Sequence, residues 1–318
     1  MLNWLFLMER TSPPGRLRPI IGCAVALCLF ASMSTTGAGD ATSPVLNPTR
    51  ALWVTRSTLT SPAAVAEMVK TAKAGGFNTL LVQVRGRGDA HYTSSLEPRA
   101  SELASRPGFD PLQSTLDLAH AEGLMVHAWV SVNLVSSAAS LPGSRDHVVF
   151  RAPEWLMVPR ALVSELSKID LRSPAYVGEL ARWTRAHSAT VEGLYTSPMH
   201  PAAQAHTVAV IGEIARKYAV DGVHLDYVRY PSEDFDYSPA ALAQFKTSLA
   251  SVLTVAERRA AAAREVLDPL AYPNLFPEQW HEFRRSRLTA LVTRIRAEVK
   301  SVRPEAVLSA AVVPDAQL

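Results

Sequence analysis

The chain has 318 residues, a formal net charge of +3, and a composition that is 48% hydrophobic and 19% charged. These values are typical of one large or two ordinary globular domains, and they exclude a disordered, collagenous or repeat architecture. Lysine and arginine are scattered along the chain rather than clustered, so nucleic acid is not expected as a partner.

The N-terminal segment has the pattern of an export signal. An apolar run over residues 20–33 follows three arginines, precedes small polar residues, and is too short for a comfortable membrane span. Residues 1–38 are therefore predicted to be a signal peptide or an N-terminal anchor, and residues 39–49 a linker. Both cysteines lie in this segment, so the domain that follows is expected to reach the periplasm or the extracellular space without disulfides or thiol chemistry.

Residues 50–318 alternate between strand and helix patterns. Strands are predicted at residues 51–56, 77–85, 124–132, 222–230 and 307–313. Helices are predicted between them, and three open with an N-cap residue followed by proline, at Ser61-Pro62, Asp110-Pro111 and Ser238-Pro239. The segment from about 134 to 198 exceeds ordinary loop length and is predicted to be a functional excursion.

This alternation predicts an α/β fold with a parallel sheet and right-handed crossovers, either doubly wound or a barrel. The sequence has no glycine-rich nucleotide-binding motif after the first strand and no Walker loop, so nucleotide-binding folds are disfavoured. Polar residues at several strand ends favour a (β/α)8 TIM barrel. Because five strands are predicted before residue 318, we expect a barrel truncated in its C-terminal part.

The segment 223–231 combines a buried strand with ionisable side chains. Alternation places His224 and Asp226 on one face, and burying them costs free energy that a partner or a function must offset. One alternative is a structural pair between Asp226 and Arg85 or Arg229. The other, which we favour, is a catalytic carboxyl group, because barrel enzymes carry their chemistry at the carboxyl ends of strands.

Sugar hydrolysis fits these residue types, because it requires two carboxyl groups on opposite sides of the scissile bond. Asp226 supplies the first. For the second we predict Asp315, which follows the fifth strand, and Asp89, Glu97 and Glu233 stay open as loop candidates. Three tryptophans, Trp129, Trp155 and Trp183, could pack the core or a lid, or present flat faces to sugar rings.

Four motifs also resemble a known family: RALWVTR at 50–56, the stretch from GFNT at 76–79 through QVRGRGDAHY at 83–92, VHAW at 126–129 and DGVHLDYVRYP at 221–231. Together they resemble the bacterial glycosyl hydrolase-like 10 domain, a family that includes exported proteins implicated in peptidoglycan glycan processing. The resemblance implies a TIM-barrel glycosidase with Asp226 as the leading catalytic carboxylate. It also implies a cleft lined by Arg85, Asp89, His127 and His224. Family members usually continue for three more strands.

We therefore expect an exported glycoside hydrolase that acts on a polysaccharide, with peptidoglycan glycan strands as the first candidate and no cofactor. Membrane contact is expected only through an uncleaved N-terminal segment. The residues expected to bind substrate are Arg85, Asp89, Tyr92, His127, Trp129, Asn133, His224, Arg229 and Tyr230.

Two alternatives stay open. The first is a glycan-binding protein without catalysis, in which truncation has removed the chemistry. The second is a metal-dependent hydrolase that uses His127, His224 and Asp226, since two imidazoles and a carboxylate can form a facial metal site.

Overall fold

The computed structural model describes residues 5–6 and 48–312. Apart from residues 5–6, the predicted signal or anchor segment lies outside the described residues, as do most of the predicted linker and Asp315. Within the part that is described, no helix is long and apolar enough to cross a membrane.

Five parallel strands form the centre of the fold, and each of them after the first pairs with the parallel strand that precedes it in the chain. Their bounds are β2 Ala51–Val54, β3 Thr79–Arg85, β4 Met125–Ser131, β5 Gly222–Asp226 and β6 Val307–Val312, and β6 also pairs antiparallel with a two-residue strand, β1 Leu5–Phe6. Sequential order is that of a barrel, whereas a doubly wound sheet reverses direction at a switch point. The predicted α/β architecture is confirmed as a five-strand half-barrel.

Strand β5 is shorter than predicted. It ends at Asp226 rather than near residue 230, because Tyr227 adopts a positive φ of 50° and leaves the extended conformation. A non-glycine residue in the left-handed region is uncommon and is often found where a turn must aim a side chain. Here the turn follows directly after the candidate catalytic residue.

Helices connect the strands and flank the sheet. Their bounds are α1 Pro62–Ala74, α2 Pro111–Ala121, α3 Val148–Arg151, α4 Val163–Leu166, α5 Pro174–Ala186, α6 Pro201–Lys217, α7 Pro239–Leu249, α8 Val255–Glu265, α9 Ala271–Leu275 and α10 Pro277–Val302. The three predicted helix starts are confirmed, since the side chains of Ser61, Asp110 and Ser238 each accept a backbone N–H bond from the first turn.

Alternate residues of each strand face the helices and form the main core. Helices α1, α2, α6 and α10 cover this face of the sheet. The strand residues in this core are Val54, Leu80, Val82, Val84, Val126, Ala128, Val130, Val223 and Leu225, and Val132 directly follows β4. Since burying one such side chain contributes about 1.5–3 kcal/mol, this parity is fixed, and the polar residues of the strands must occupy the opposite face.

The predicted excursion is a folded layer. It contains α3, α4 and α5, and it packs against α7 to α10 in a second core that includes Tyr176, Phe245 and Trp280. Its last part returns to the end of β4, where the N–H of Val135 donates to the carbonyl of Leu194 over 2.8 Å. The excursion therefore brings residues distant in sequence to the carboxyl end of the sheet.

We predict that Gly193→Ala destabilises this return. A Cβ on Gly193 would collide with the carbonyl oxygen of Ser136, so the backbone must shift at a cost of about 2 kcal/mol or more. Gly178→Ala is the control, because it lies inside α5 with open space around it and should stabilise the protein by about 0.5–1 kcal/mol. Denaturant midpoints measure both changes, and equal midpoints would contradict the prediction.

Candidate active site

The polar residues of neighbouring strands lie side by side on the face opposite the main core. Gln83 pairs in register with Trp129, Trp129 with His224, and Ser131 with Asp226. Parallel strands place their carboxyl ends at one edge, so these side chains form rows that lead to that edge. This arrangement is the one that their shared parity predicts.

A neutral aromatic layer lies in this face. His127 and His224 are buried, and the ring of Trp53 meets those of Trp129 and His224 edge-on at centroid distances of 4.5 and 4.7 Å. Burial, with a smaller contribution from His127, lowers the pKa of His224 to about 4, and burial also lowers the pKa of His127. Both imidazoles are therefore neutral at pH 7 and lie below the surface that was expected to bind substrate.

Asp226 lies at the carboxyl end of β5 with both carboxylate oxygens hydrogen-bonded. Oδ1 accepts from the N–H of Tyr227 over 2.8 Å, and Oδ2 accepts from the indole N–H of Trp129 over 3.0 Å. Burial raises the pKa of Asp226 above its ordinary value, although the two hydrogen bonds and nearby Arg229 oppose the change. Trp129, a predicted substrate-binding residue, thus orients this carboxyl group.

Glu192 extends the site from the excursion. Its carboxylate accepts from Arg229 Nη2 over 2.6 Å and from the Tyr195 hydroxyl over 2.6 Å. Burial alone would raise the pKa of Glu192, but these hydrogen bonds bring it below its ordinary value. Glu192 therefore stays ionised, and its negative charge contributes to the raised pKa of Asp226.

Arg85 and Glu97 form a buried ion pair. The guanidinium donates through Nε and Nη2 to the two Glu97 oxygens over 2.7 and 2.6 Å, and through Nη1 to the carbonyls of Ser131 and Val132. Although burial opposes ionisation, Arg85 and His206 lower the pKa of Glu97 to about 2. Glu97 therefore cannot serve as a proton donor at neutral pH. The buried guanidinium of Arg85 holds Glu97 and the backbone at the end of β4 in place.

Three further predicted binding residues also serve the framework. Tyr92 is buried in the main core, with its ring 5.9 Å from that of Tyr218. Tyr230 packs against the second core, and its hydroxyl donates to the Arg284 carbonyl over 3.1 Å. Asn133 is buried, and its amide donates to the Arg229 carbonyl over 3.2 Å. Packing and backbone positioning are the roles that the structure shows for these side chains, and sugar contact stays a prediction.

The remaining candidates differ in position. Asp89 is half-buried in the loop after β3, where Oδ1 accepts from the N–H of Arg87 over 3.0 Å. Glu233 is exposed in the turn that follows β5. Sequence reasoning missed Glu192 and Tyr195, and the length of the excursion was the only signal that this part of the chain contributes to the site.

The metal-dependent alternative lacks a ligand set in this part of the chain. Within residues 48–312, His, Cys, Asp and Glu side chains form no group of three or more that could hold a metal ion. His127, His224 and Asp226 share a face of the sheet, but they do not converge on one point.

The chain matches the glycosyl hydrolase-like 10 family over residues 48–317, which confirms the resemblance carried by the sequence motifs. Glycosyl hydrolase DigH of Escherichia coli (strain K12) is 28% identical over 244 residues, which are 66% of this chain and 51% of that protein. Glycosyl hydrolase YngK of Bacillus subtilis (strain 168) is 26% identical over 162 residues, 49% of this chain and 26% of that protein. The chain thus spans about half the length of DigH.

A solved structure shares the fold. Alpha-L-fucosidase isoenzyme 2 from Paenibacillus thiaminolyticus aligns with a TM-score of 0.52 at 18% identity, over 83% of this chain and 32% of that one. At this level of identity the likeness concerns the fold alone, and it agrees with a half-barrel of TIM type.

We predict that Glu97→Gln destabilises the protein in a pH-dependent way. The lowered pKa of Glu97 corresponds to stability on the order of 3 kcal/mol that is present above about pH 4.5 and lost as pH falls towards 2. The difference in unfolding free energy between wild type and Glu97→Gln should therefore be large at pH 7 and shrink below pH 4. Denaturant titrations measure it, with the exposed Glu67→Gln as control. A difference that is constant between pH 7 and pH 3 would contradict this role.

We also predict that Glu192→Gln lowers the pKa of Asp226. The substitution removes a negative charge that disfavours the Asp226 carboxylate, and it leaves Arg229 free to stabilise that carboxylate. Carbon-13 NMR titration of the aspartate carboxyl groups measures the shift without requiring activity. Exposed Glu165→Gln is the control, and a rise in the pKa of Asp226 would refute the prediction.

Proposed function

The chain belongs to the glycosyl hydrolase-like 10 family, and from this premise we propose that it is an exported glycoside hydrolase that cleaves O-glycosidic bonds in a polysaccharide. Peptidoglycan glycan strands are the first candidate substrate. The observation that carries the proposal is the environment of Asp226, an oriented carboxyl group of raised pKa at the carboxyl end of a parallel strand.

Asp226 fits the role of nucleophile or of stabiliser of the positively charged transition state. Two N–H donors, from Tyr227 and Trp129, fix the direction of its oxygens. Burial raises its basicity, and a more basic carboxylate is a better nucleophile. Arg229 and Glu192 form an ion pair beside it, which sets the local charge without adding a second proton donor.

The proton donor in this mechanism is Asp315. In sequence it follows the end of β6 by three residues, and β6 is the neighbour of β5 in the sheet. Carboxyl groups at the ends of adjacent strands suit a reaction that requires two of them about 5–9.5 Å apart. Asp89 is the alternative donor, because Glu97 is fixed as an anion by Arg85.

A specific observation favours a second candidate function, glycan binding without hydrolysis. The described sheet has five parallel strands with β2 at one edge, and the chain spans about half the length of DigH. The described half-barrel presents side chains for sugar contact at one carboxyl edge, and binding, unlike hydrolysis, requires no second carboxyl group.

We predict that Asp226→Asn abolishes sugar release. The amide cannot act as a nucleophile or carry negative charge, so turnover of purified peptidoglycan glycan strands should fall by about a thousandfold or more while glycan binding is retained. Reducing-end assays measure turnover, and calorimetry measures binding. Asp117→Asn, an exposed change on α2, is the control. Wild-type turnover by Asp226→Asn would reject this assignment, and wild-type binding without turnover would favour the binding function.

A further inference from the structure

Two arginines whose guanidinium groups have no hydrogen-bonded or ion-paired partner among the described residues line one cleft at the carboxyl edge of the sheet. Arg56 follows β2, Arg87 follows β3, and both contribute to the cleft together with Ser136, Ser137 and further loop residues. Both arginines are half-buried. Among the residues that the structure describes, neither guanidinium makes a hydrogen bond or an ion pair with protein.

On one side of the cleft, the segment after β2 and the loop after β3 approach each other closely. The guanidinium of Arg56 lies over Gly86, in the space that a side chain at this position would take. Glycine thus allows Arg56, which follows β2, to lie against the residue that precedes Arg87 in the loop after β3. Burial lowers the pKa of Arg87, and the positive charge of Arg56 lowers it further.

A second contact fixes the other side of the loop. The ring nitrogen Nε2 of His147 lies 2.8 Å from the carbonyl oxygen of Arg87, at hydrogen-bonding distance. Gly88 has a φ of 73°, and a Cβ there would lie 2.8 Å from the same His147 nitrogen. The backbone of Arg87 is therefore held in place while its side chain has no protein partner.

The other charged groups of the cleft do not cancel these arginines. Arg99 also lines it, and its guanidinium is tied to the carbonyls of Arg106 and Phe109. Asp89 and Glu102 supply two negative charges against three positive ones. The cleft keeps a net positive charge, which suits a ligand with one negative charge.

The cleft and the candidate catalytic residue lie at the same edge of the sheet. Arg87 follows the carboxyl end of β3 and Asp226 ends β5, and both strands pair with β4. A glycan bound along this edge has access to both residues.

We propose that Arg56 and Arg87 form a subsite for a carboxylate on the substrate glycan, so that the substrate is an acidic rather than a neutral polysaccharide. This inference rests on the proposed glycan-directed function. The planar guanidinium fork matches the two oxygens of a carboxylate, and two such forks without protein partners provide the donors. The carboxylate can belong to a lactyl ether, as in muramic acid, or to a uronic acid ring.

Calorimetry with the full chain carrying Asp226→Asn tests the subsite without consuming the ligand. Three tetrasaccharides serve as probes: alternating N-acetylglucosamine and N-acetylmuramic acid with free lactyl carboxylates, the same compound with its carboxyl groups reduced to alcohols, and tetragalacturonate. We expect the lactyl acid to bind about tenfold more tightly than its reduced form at low salt, and the ratio to fall as salt rises.

Arginine substitutions test whether this cleft causes the difference in affinity between the acid and its reduced form. Arg87→Gln should bring the affinity ratio of acid to reduced form within about twofold, and Arg87→Lys should restore part of it because the charge is kept. Arg182→Gln, an exposed change on α5, should leave the ratio unchanged. Because Arg56 packs over Gly86, Arg56→Gln is interpreted only with an unchanged unfolding midpoint.

Each outcome decides the proposal. Equal binding of acid and reduced forms, an unaltered ratio in Arg87→Gln, or no binding of any probe would overturn the subsite. Tighter binding of tetragalacturonate than of the lactyl acid would support it and assign a uronic acid. A chain that discriminates between acid and reduced forms but never cleaves would keep the subsite and reject the proposed hydrolysis.

Discussion

The site depends on the buried ion pair between Arg85 and Glu97. One guanidinium joins the end of β3 to the carbonyls at the end of β4 and to a carboxylate in the loop that follows β3. Removing either partner would leave a buried charge without compensation, which costs far more than the loss of a surface pair. Because the pair fixes both ends of the loop between Arg85 and Glu97, it also sets the position of Arg87.

The interior of the site is lined by neutral side chains, and its rim is lined by charged ones. The layer of His127, His224 and Trp129 is neutral and buried, so it presents no charge to Asp226 and keeps the surrounding dielectric low. The rim is charged, with Arg229 paired to Glu192 and Arg87 unpaired. The sheet thus produces a gradient from apolar interior to ionic edge, with the candidate catalytic carboxyl group at the boundary.

Local sequence signals made the helices and strands predictable. They did not predict the contacts between segments that are distant in the chain. The N-caps at Ser61, Asp110 and Ser238 and the period-two alternation of the strands are encoded within a few residues, so helix starts and the shared face of the polar residues follow from sequence. Glu192 reaches the site through a long folded excursion, which no local pattern specifies. Tyr230 shows a further limit, because an aromatic residue that stacks on sugar and one that packs in a core have the same sequence signature.

Desolvation changes the pKa values of two charged groups at the carboxyl edge of the sheet in opposite directions. Burial raises the pKa of Asp226 and lowers that of Arg87, so in each case the charged form lacks full compensation from protein and solvent. A ligand that brings positive charge to Asp226 and negative charge to Arg87 would stabilise both. An acidic glycan in the proposed mechanism has this distribution, since positive charge develops at its anomeric carbon while its carboxylate stays ionised. The unsatisfied charge of the proposed subsite and the basicity of the catalytic carboxyl group would then be two parts of one complementarity to the transition state.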